Sequence, residues 1–147
     1  MSRKIVIFDL DGTLADITHR RHFVERPNKD KDWDSFHKAC IDDKPINNMI
    51  EVYNRFISPS YRVIILSGRN DMVRKETMDW FKKHCIYVPE IRMRNEGDYT
   101  PDHELKRKWL YEIGKENVIC VFDDRDRVVN MWRKEGLLCC QVSRGDF

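Results

Sequence analysis

No apolar run in this chain is long enough to cross a bilayer. Segments such as Ile5–Phe8 and Val63–Leu66 fall far short of the roughly 20 residues a membrane helix needs. No signal-peptide apolar region is present either, because Met1-Ser2-Arg3-Lys4 leads straight into a strand-like segment. Paired cysteines are missing: Cys40, Cys85, Cys120, Cys139 and Cys140 are odd in number and contain no C-x-x-C. A disulfide framework or zinc site is therefore not expected, and the thiols should be buried or idle in a reducing compartment. The five histidines show no metal-ligand spacing. A cytoplasmic protein without a membrane partner is the expectation. Strong net charge is also lacking, at +2, so a nucleic-acid partner would have to be met by a local basic patch. With 41% hydrophobic residues the chain is not disordered. No internal repeat, low-complexity tract or linker interrupts it, so residues 1–147 read as a single domain. A domain of this length can fold without a staple.

What is there is an alternation of strands and helices. Lys4–Leu10 reads as a buried strand. Ile46–Ile57 has apolar residues at helical spacing. Arg62–Leu66 is a β-branched run stopped by Ser67-Gly68, and Val73, Thr77, Trp80, Phe81 and His84 mark a second helix. A third helix is expected to be capped by Thr100, with Pro101 first, Leu105, Trp109 and Ile113 inside, and Gly114 closing it. Val118–Phe122 is another strand, Val128, Val129 and Trp132 mark a helix closed by Gly136, and Leu137–Val142 is a last strand. The architecture this predicts is α/β: a Rossmann-like three-layer sandwich around a central parallel sheet. Residues 16–45 break the pattern and read as a small cap insertion after the first strand, with a short helix at Trp33–Cys40.

Ligands of such sheets bind beyond the carboxyl ends of the strands, and the polar residues cluster there. Asp9 and Asp11 repel each other at the first strand end, which a divalent cation would relieve. Gly12 permits a tight turn and Thr13 can hold the acids. Ser67-Gly68-Arg69 lies at a strand-to-helix turn, where a hydroxyl and backbone N–H groups suit a phosphate oxygen; taken alone, Ser67 or Asn70 could equally be an N-cap. Lys106 falls one turn after Asp102, so the two can pair. Asp123-Asp124-Arg125 is a second acidic corner, readable also as a helix start. The order acid pair, Ser, Lys, acid pair says more than any one of them.

On these residues the chain resembles the haloacid dehalogenase superfamily of phosphotransferases, whose four motifs match Asp9-Leu10-Asp11-Gly12-Thr13, Ser67, Lys106 and Asp123-Asp124. It is similar in further detail to the 3′-phosphatase domains of bacteriophage polynucleotide kinase-phosphatase. That match takes in Arg20, Ser67-Gly68-Arg69, Arg94-x-x-Gly97-Asp98, Asp102 with Lys106, Asp123-Asp124-Arg125, Val129-x-Met131-Trp132-Arg133 and Gly145-Asp146-Phe147. The chain departs from the bifunctional enzyme at Trp33-Asp34-x-Phe36. It also has no G-x-x-x-x-G-K-[ST] loop, so 5′-kinase activity is not expected in it.

The resemblance implies a Mg²⁺-dependent phosphoric monoester hydrolase acting through an aspartyl-phosphate. Asp9 would be the nucleophile and Asp11 the proton donor and then base. Ser67 and Lys106 would hold the phosphoryl oxygens, with Arg20, Arg69 and Asp102 on the substrate side. Mg²⁺ would be held by Asp9, the Asp11 carbonyl and Asp123 or Asp124. The substrate it implies is a nucleic-acid 3′-phosphate end, with room for a separate kinase or ligase partner. Arg20-Arg21 and Lys106-Arg107-Lys108 could meet a phosphate backbone, and Phe23, Trp33 or Phe36 could stack a base or form the insertion's own core. The same chemistry would serve a 5′- or 3′-nucleotidase on free nucleotides; a phospho-receiver domain is a more distant alternative.

Overall fold

The computed structural model of the chain describes residues 2–147. In chain order the strands are β1 (Lys4–Phe8), β2 (Ala15–Asp16), β3 (Lys44–Pro45), β4 (Tyr61–Asn70), β5 (Ile91–Arg94), β6 (Val118–Asp123) and β7 (Cys139–Gln141). The α-helices are α1 (Trp33–Lys38), α2 (Asn47–Phe56), α3 (Arg74–Lys83), α4 (Asp102–Ile113) and α5 (Asp126–Lys134). A five-stranded parallel sheet runs in the order β5-β4-β1-β6-β7.

The three layers follow from the two-residue period of a strand. Ile5 and Ile7 face one core, with Leu105, Trp109 and Leu110 of α4 and Val128, Val129 and Trp132 of α5. Val6 and Phe8 face the other, with Tyr53 of α2 and Trp80 and Phe81 of α3. Because both sheet faces are covered, Ile5–Phe8 of β1 and Val63–Leu66 of β4 are unbroken apolar runs.

The insertion is joined to the body by a narrow neck. β2 and β3 pair antiparallel, Ala15 opposite Pro45 and Asp16 opposite Lys44, and the Ile46 N–H donates to the Leu14 carbonyl at 2.8 Å. Between the two strands lie α1 and short 3₁₀ turns; α1 stops at Lys38 and a 3₁₀ turn continues over Ala39–Asp42.

Three local expectations are corrected. β4 does not stop at Leu66 but runs through Ser67-Gly68 to Asn70. β5 was not foreseen; in it only Met93 is deeply buried. Thr100 does not cap α4. Pro101 is extended, at φ −53° and ψ 143°, and the helix begins at Asp102 without a side-chain cap. The Thr100 carbonyl instead accepts from Arg94 Nη1 at 2.5 Å.

Candidate active site

The strand order reverses around β1. The chain leaves it for β4 and β5 on one side and returns to β6 and β7 on the other, which opens a crevice beyond its carboxyl end. Phe8 is level with both Ile65 and Phe122. Asp9 therefore emerges beside Asp123 and one residue short of Ser67. Among the described residues, Asp9, Asp123 and Asp124 each offer a carboxylate oxygen within 4.8 Å of the others, and all three are buried.

Lys106 closes this cluster from above. Leu105, Trp109 and Leu110 seat α4 on the sheet, and Lys106, 1% exposed, turns toward the strand ends. Its Nζ donates to Asp9 Oδ1 at 2.7 Å and to Asp123 Oδ2 at 3.1 Å. Burial opposes the ammonium charge, but Asp123 and Asp9 outweigh it and hold Lys106 well above its ordinary pKa. Burial and then the Asp123 carboxylate push the Asp9 carboxyl well up, against the pull of Lys106. The same causes push Asp124 up to about 6. Three carboxylates thus share one ammonium. Hard oxygen donors with surplus negative charge are what a divalent cation requires, so the residues fit a cation site of the haloacid dehalogenase type.

The two acids of the β6 corner differ in their commitments. Asp123 Oδ1 accepts the Asp124 N–H at 2.9 Å, and its Oδ2 accepts Lys106 and the Trp132 indole N–H, the latter at 3.1 Å. The Asp124 carboxylate points toward Gly12, where a Cβ would collide with it. Gly12 also has φ +83°, so only glycine serves there without strain. Thr13 Oγ1 donates to Asp9 Oδ2 at 3.3 Å.

Asp11 stands on the rim with its side chain 21% exposed. Its Oδ1 accepts from Arg20 Nη2 at 2.9 Å and from Arg69 Nη2. Burial raises the Asp11 carboxyl, but the Arg69 and Arg20 guanidiniums outweigh it and hold it well below the usual carboxylate range. Neither Arg20 nor Arg69 is a surface charge, since both are buried. Arg20 Nη1 donates to the Phe36 carbonyl at 3.1 Å and the guanidinium lies 4.3 Å over the Phe36 ring. Arg69 Nη1 donates to Thr77 Oγ1 at 2.9 Å.

Ser67 is buried and its Oγ accepts the Arg69 N–H at 3.1 Å. Asn70 caps the 3₁₀ turn Asp71–Val73 that leads into α3, its side chain accepting from Met72 N–H at 2.9 Å, and α3 itself starts without a side-chain cap. Asp102 does not form the expected pair with Lys106. Its Oδ1 accepts from Arg94 Nη2 at 3.0 Å and its Oδ2 lies 3.8 Å from Arg125 Nη1. A Cβ at Gly68 would strike this carboxylate, so glycine lets β4 and the start of α4 close together.

A cleft of roughly 660 Å³ opens over the strand ends, lined by Asp9, Asp11, Ser67, Arg69, Asp102, Asp123 and Asp124. Trp33, His37, Tyr99, Arg21 and Arg125 extend its wall. Arg20 and Lys106 sit behind that wall, so neither can meet a distant phosphate backbone; Arg107 and Lys108 remain exposed. Phe36 is buried in the cleft wall beneath the Arg20 guanidinium, whereas Trp33 is 51% exposed on the cleft. Burial lowers His37 to about 4, so its ring is neutral at pH 7. Sequence reasoning missed Asp43, a buried acid at the neck of the insertion that binds Arg20 and Arg69. Its segment, Asp42-Asp43-Lys44, reads as a solvated charge run, and its partners lie 23 and 26 positions away.

Residues 3–147 match the family model described as the polynucleotide kinase PNKP phosphatase domain. A protein of Autographa californica nuclear polyhedrosis virus that carries the name of a bifunctional polynucleotide kinase/RNA ligase is 33% identical over 135 residues, covering 88% of this chain and 18% of that protein. Two solved structures of a Pnkp1/Rnl/Hen1 complex, one named as an RNA repair complex, are 32% and 33% identical, both with a TM-score of 0.80. Both likenesses cover all of this chain and 45% and 48% of the matched ones. The chain thus spans less than half the length of each of these relatives. A haloacid dehalogenase-like hydrolase of Streptococcus pneumoniae, 15% identical with a TM-score of 0.64 over 95% of this chain and 84% of its own, shares the fold. Among the described residues no helix is long and apolar enough to cross a membrane. By sequence match, fold and the disposition of its acids, this chain belongs to the PNKP phosphatase-domain family of the haloacid dehalogenase superfamily.

Proposed function

We propose that this domain removes the phosphate from 3′ ends of nucleic acid, RNA first, through a covalent intermediate on Asp9 and with Mg²⁺ as cofactor. The observation that carries the proposal is the convergence of Asp9, Asp123, Asp124 and Lys106 beneath a cleft rimmed by Asp11 and Ser67. RNA is proposed because the similar complex is one of RNA repair and the viral relative carries the name of a kinase and RNA ligase. The same relatives support a kinase and a ligase as working partners.

Lys106, bonded to Asp9 Oδ1, orients the carboxylate for attack. Asp9 attacks phosphorus, the bond to the 3′ oxygen breaks, and Asp11 gives that oxygen a proton. Asp11 then takes a proton from the water that hydrolyses the aspartyl-phosphate, which frees inorganic phosphate and Asp9. Ser67 and Lys106 hold phosphoryl oxygens. Arg69, which lines the cleft and also grips Asp11, can shift a hydrogen bond to an incoming phosphate and loosen Asp11 for its donor role. Mg²⁺ would be held by the Asp9 carboxylate, the Asp11 carbonyl and the Asp124 carboxylate, Asp123 being engaged by Lys106, Trp132 and the Asp124 N–H. Such an ion would supply positive charge that offsets the negative charge of the transferring phosphoryl group.

The test is Mg²⁺-dependent phosphate release from an RNA oligonucleotide 3′-phosphate, its DNA counterpart, the 5′-phosphate isomer and free mononucleotides. Release from the 3′-phosphorylated RNA is expected to exceed all others. Release from mononucleotides alone would replace the proposal with a nucleotidase. Asp9→Asn should abolish turnover, and retained turnover would require another nucleophile.

A further inference from the structure

We propose that His37 and Trp33 of the insertion form the nucleoside subsite of the cleft, with His37 hydrogen-bonding the ribose 2′-hydroxyl that lies beside the 3′-phosphate. Both side chains line the cleft, and the reaction steps above use neither. The His37 Nδ1 is buried and has no hydrogen-bond partner, and none of the described residues bonds its Nε2. A neutral imidazole carries one donor and one acceptor, and a buried polar atom left unmatched by the protein marks a place where something else can bond it. His103 also lines the cleft with its Nδ1 unpartnered, but Glu104 stands 3.9 Å from its Nε2. No carboxylate among the described residues stands that close to His37.

The order of side chains along this wall matches that of a nucleotide. The chain next to His37 is tied to the rim acid: the Phe36 carbonyl accepts from Arg20 Nη1 at 3.1 Å, and Arg20 Nη2 donates to Asp11 Oδ1 at 2.9 Å. Asp11 is also the charge that acts most strongly on the His37 ring. One helical turn from His37, the half-exposed Trp33 indole lies 6.0 Å from its ring at an interplanar angle of 28°. Outward from Asp9 the side chains thus run Asp11, His37, Trp33. A 3′-terminal nucleotide with its phosphate at Asp9 runs the same way, from phosphate to ribose to base. Its 2′-hydroxyl sits on the carbon next to the one that bears the phosphate, within the stretch of wall that His37 occupies. That hydroxyl, donor and acceptor at once, distinguishes an RNA end from a DNA end, and an imidazole with both nitrogens uncommitted can meet it in either role. Stacking on Trp33 is blind to the sugar. His37 therefore carries the preference for RNA, and Trp33 the affinity for a base of any kind.

The subsite rests on the 3′-phosphatase reading, and one assay keeps the two apart. Phosphate release in Mg²⁺ is compared for two oligonucleotide 3′-phosphates that are identical except for the terminal sugar, ribose in one and 2′-deoxyribose in the other. Wild type should prefer the ribose end by about 3–10-fold, the effect of one hydrogen bond. His37→Phe keeps an aromatic ring beside Trp33 and removes both nitrogens, and it should bring the two rates to equality by slowing the ribose end. Equal rates in the wild type, or a preference that survives in His37→Phe, overturn the subsite and leave the 3′-phosphatase reading standing. Release from neither end by the wild type overturns both. If His37→Phe does not fold, nitrogen NMR of the wild-type imidazole carries the test, in EDTA so that the ends stay phosphorylated. The His37 ring nitrogens should shift on addition of the ribose end and much less with the deoxyribose end; equal shifts, or none, overturn the proposal.

Discussion

Replacing Lys106 with methionine tests the electrostatics of the site most directly. The side chain keeps its length and loses its charge, which leaves Asp9 and Asp123, both buried, without the ammonium that sits 2.7 and 3.1 Å from their oxygens. Breaking a buried ion pair from one side costs about 3–5 kcal/mol. For a domain of this size each kcal/mol shifts Tm by about 2–4 °C, so the variant should melt about 6–20 °C below the wild type in EDTA. Adding Mg²⁺ should recover more of that loss in the variant than it adds to the wild type, because a divalent cation meets the same carboxylates. Mg²⁺ should not restore turnover, which should stay about 10²–10³-fold low, the usual loss when one donor to a reacting oxygen is removed. The assays are thermal unfolding in EDTA and in Mg²⁺, with phosphate release alongside. A Tm in EDTA within about 3 °C of the wild type would correspond to roughly 1 kcal/mol, the worth of an exposed pair. It would refute the reading of Lys106 as the main counter-charge of the cluster.

Other changes have equally definite outcomes. Gly68→Ala should displace the Asp102 carboxylate from Arg94 and destabilise the domain by about 1–3 kcal/mol, read by urea unfolding; an unchanged midpoint would mean that β4 and α4 separate freely. Asp124, pushed up to about 6 in the folded state, titrates near 4 when unfolded. The folded protein therefore binds the extra proton between those values, and its stability falls as pH rises through them. In EDTA, wild type should lose stability relative to Asp124→Asn from pH 4 to above 6 and then run parallel to it; a constant difference across that window would be the contrary result. Trp33→Ala should raise KM for an oligonucleotide 3′-phosphate, by an amount equivalent to about 1–3 kcal/mol of stacking, and leave p-nitrophenyl phosphate unaffected. Equal losses on both substrates would make Trp33 a structural residue of the insertion.

The body of the fold was legible because its strands are buried on both faces. Ile5–Phe8, Val63–Leu66 and Val118–Phe122 are apolar throughout, as a covered parallel sheet requires. β5 escaped notice because it is an edge strand with Arg92 and Arg94 flanking its deeply buried residue, Met93. The neck strands are two residues each and held by pairing more than by composition. At the start of α4 a local rule lost to a distant one: Arg94 occupies the Thr100 carbonyl, and Pro101 stays extended. In the site, Asp9, Asp11, Ser67, Lys106, Asp123 and Asp124 could be found because each follows the apolar run of a strand or lies one turn into a helix. Asp43 could not, because its importance exists only once residues distant in the chain have been folded onto it.

The pairing of Asp43 with Arg20 and Arg69 also bears on how such a domain can be altered. An insertion carried on a two-strand stalk looks like an exchangeable attachment, one that could be grafted from another enzyme to change what is recognised. Here the insertion contributes Arg20, which grips the acid on the rim of the core, and Asp43, which holds Arg20. A chimera keeping residues 1–16 and 44–147 but borrowing the intervening loop would therefore inherit a misaligned Asp11 along with its new contacts. The insertion and the rim acid are coupled through side chains, and any redesign has to carry Arg20 and Asp43 across with the graft.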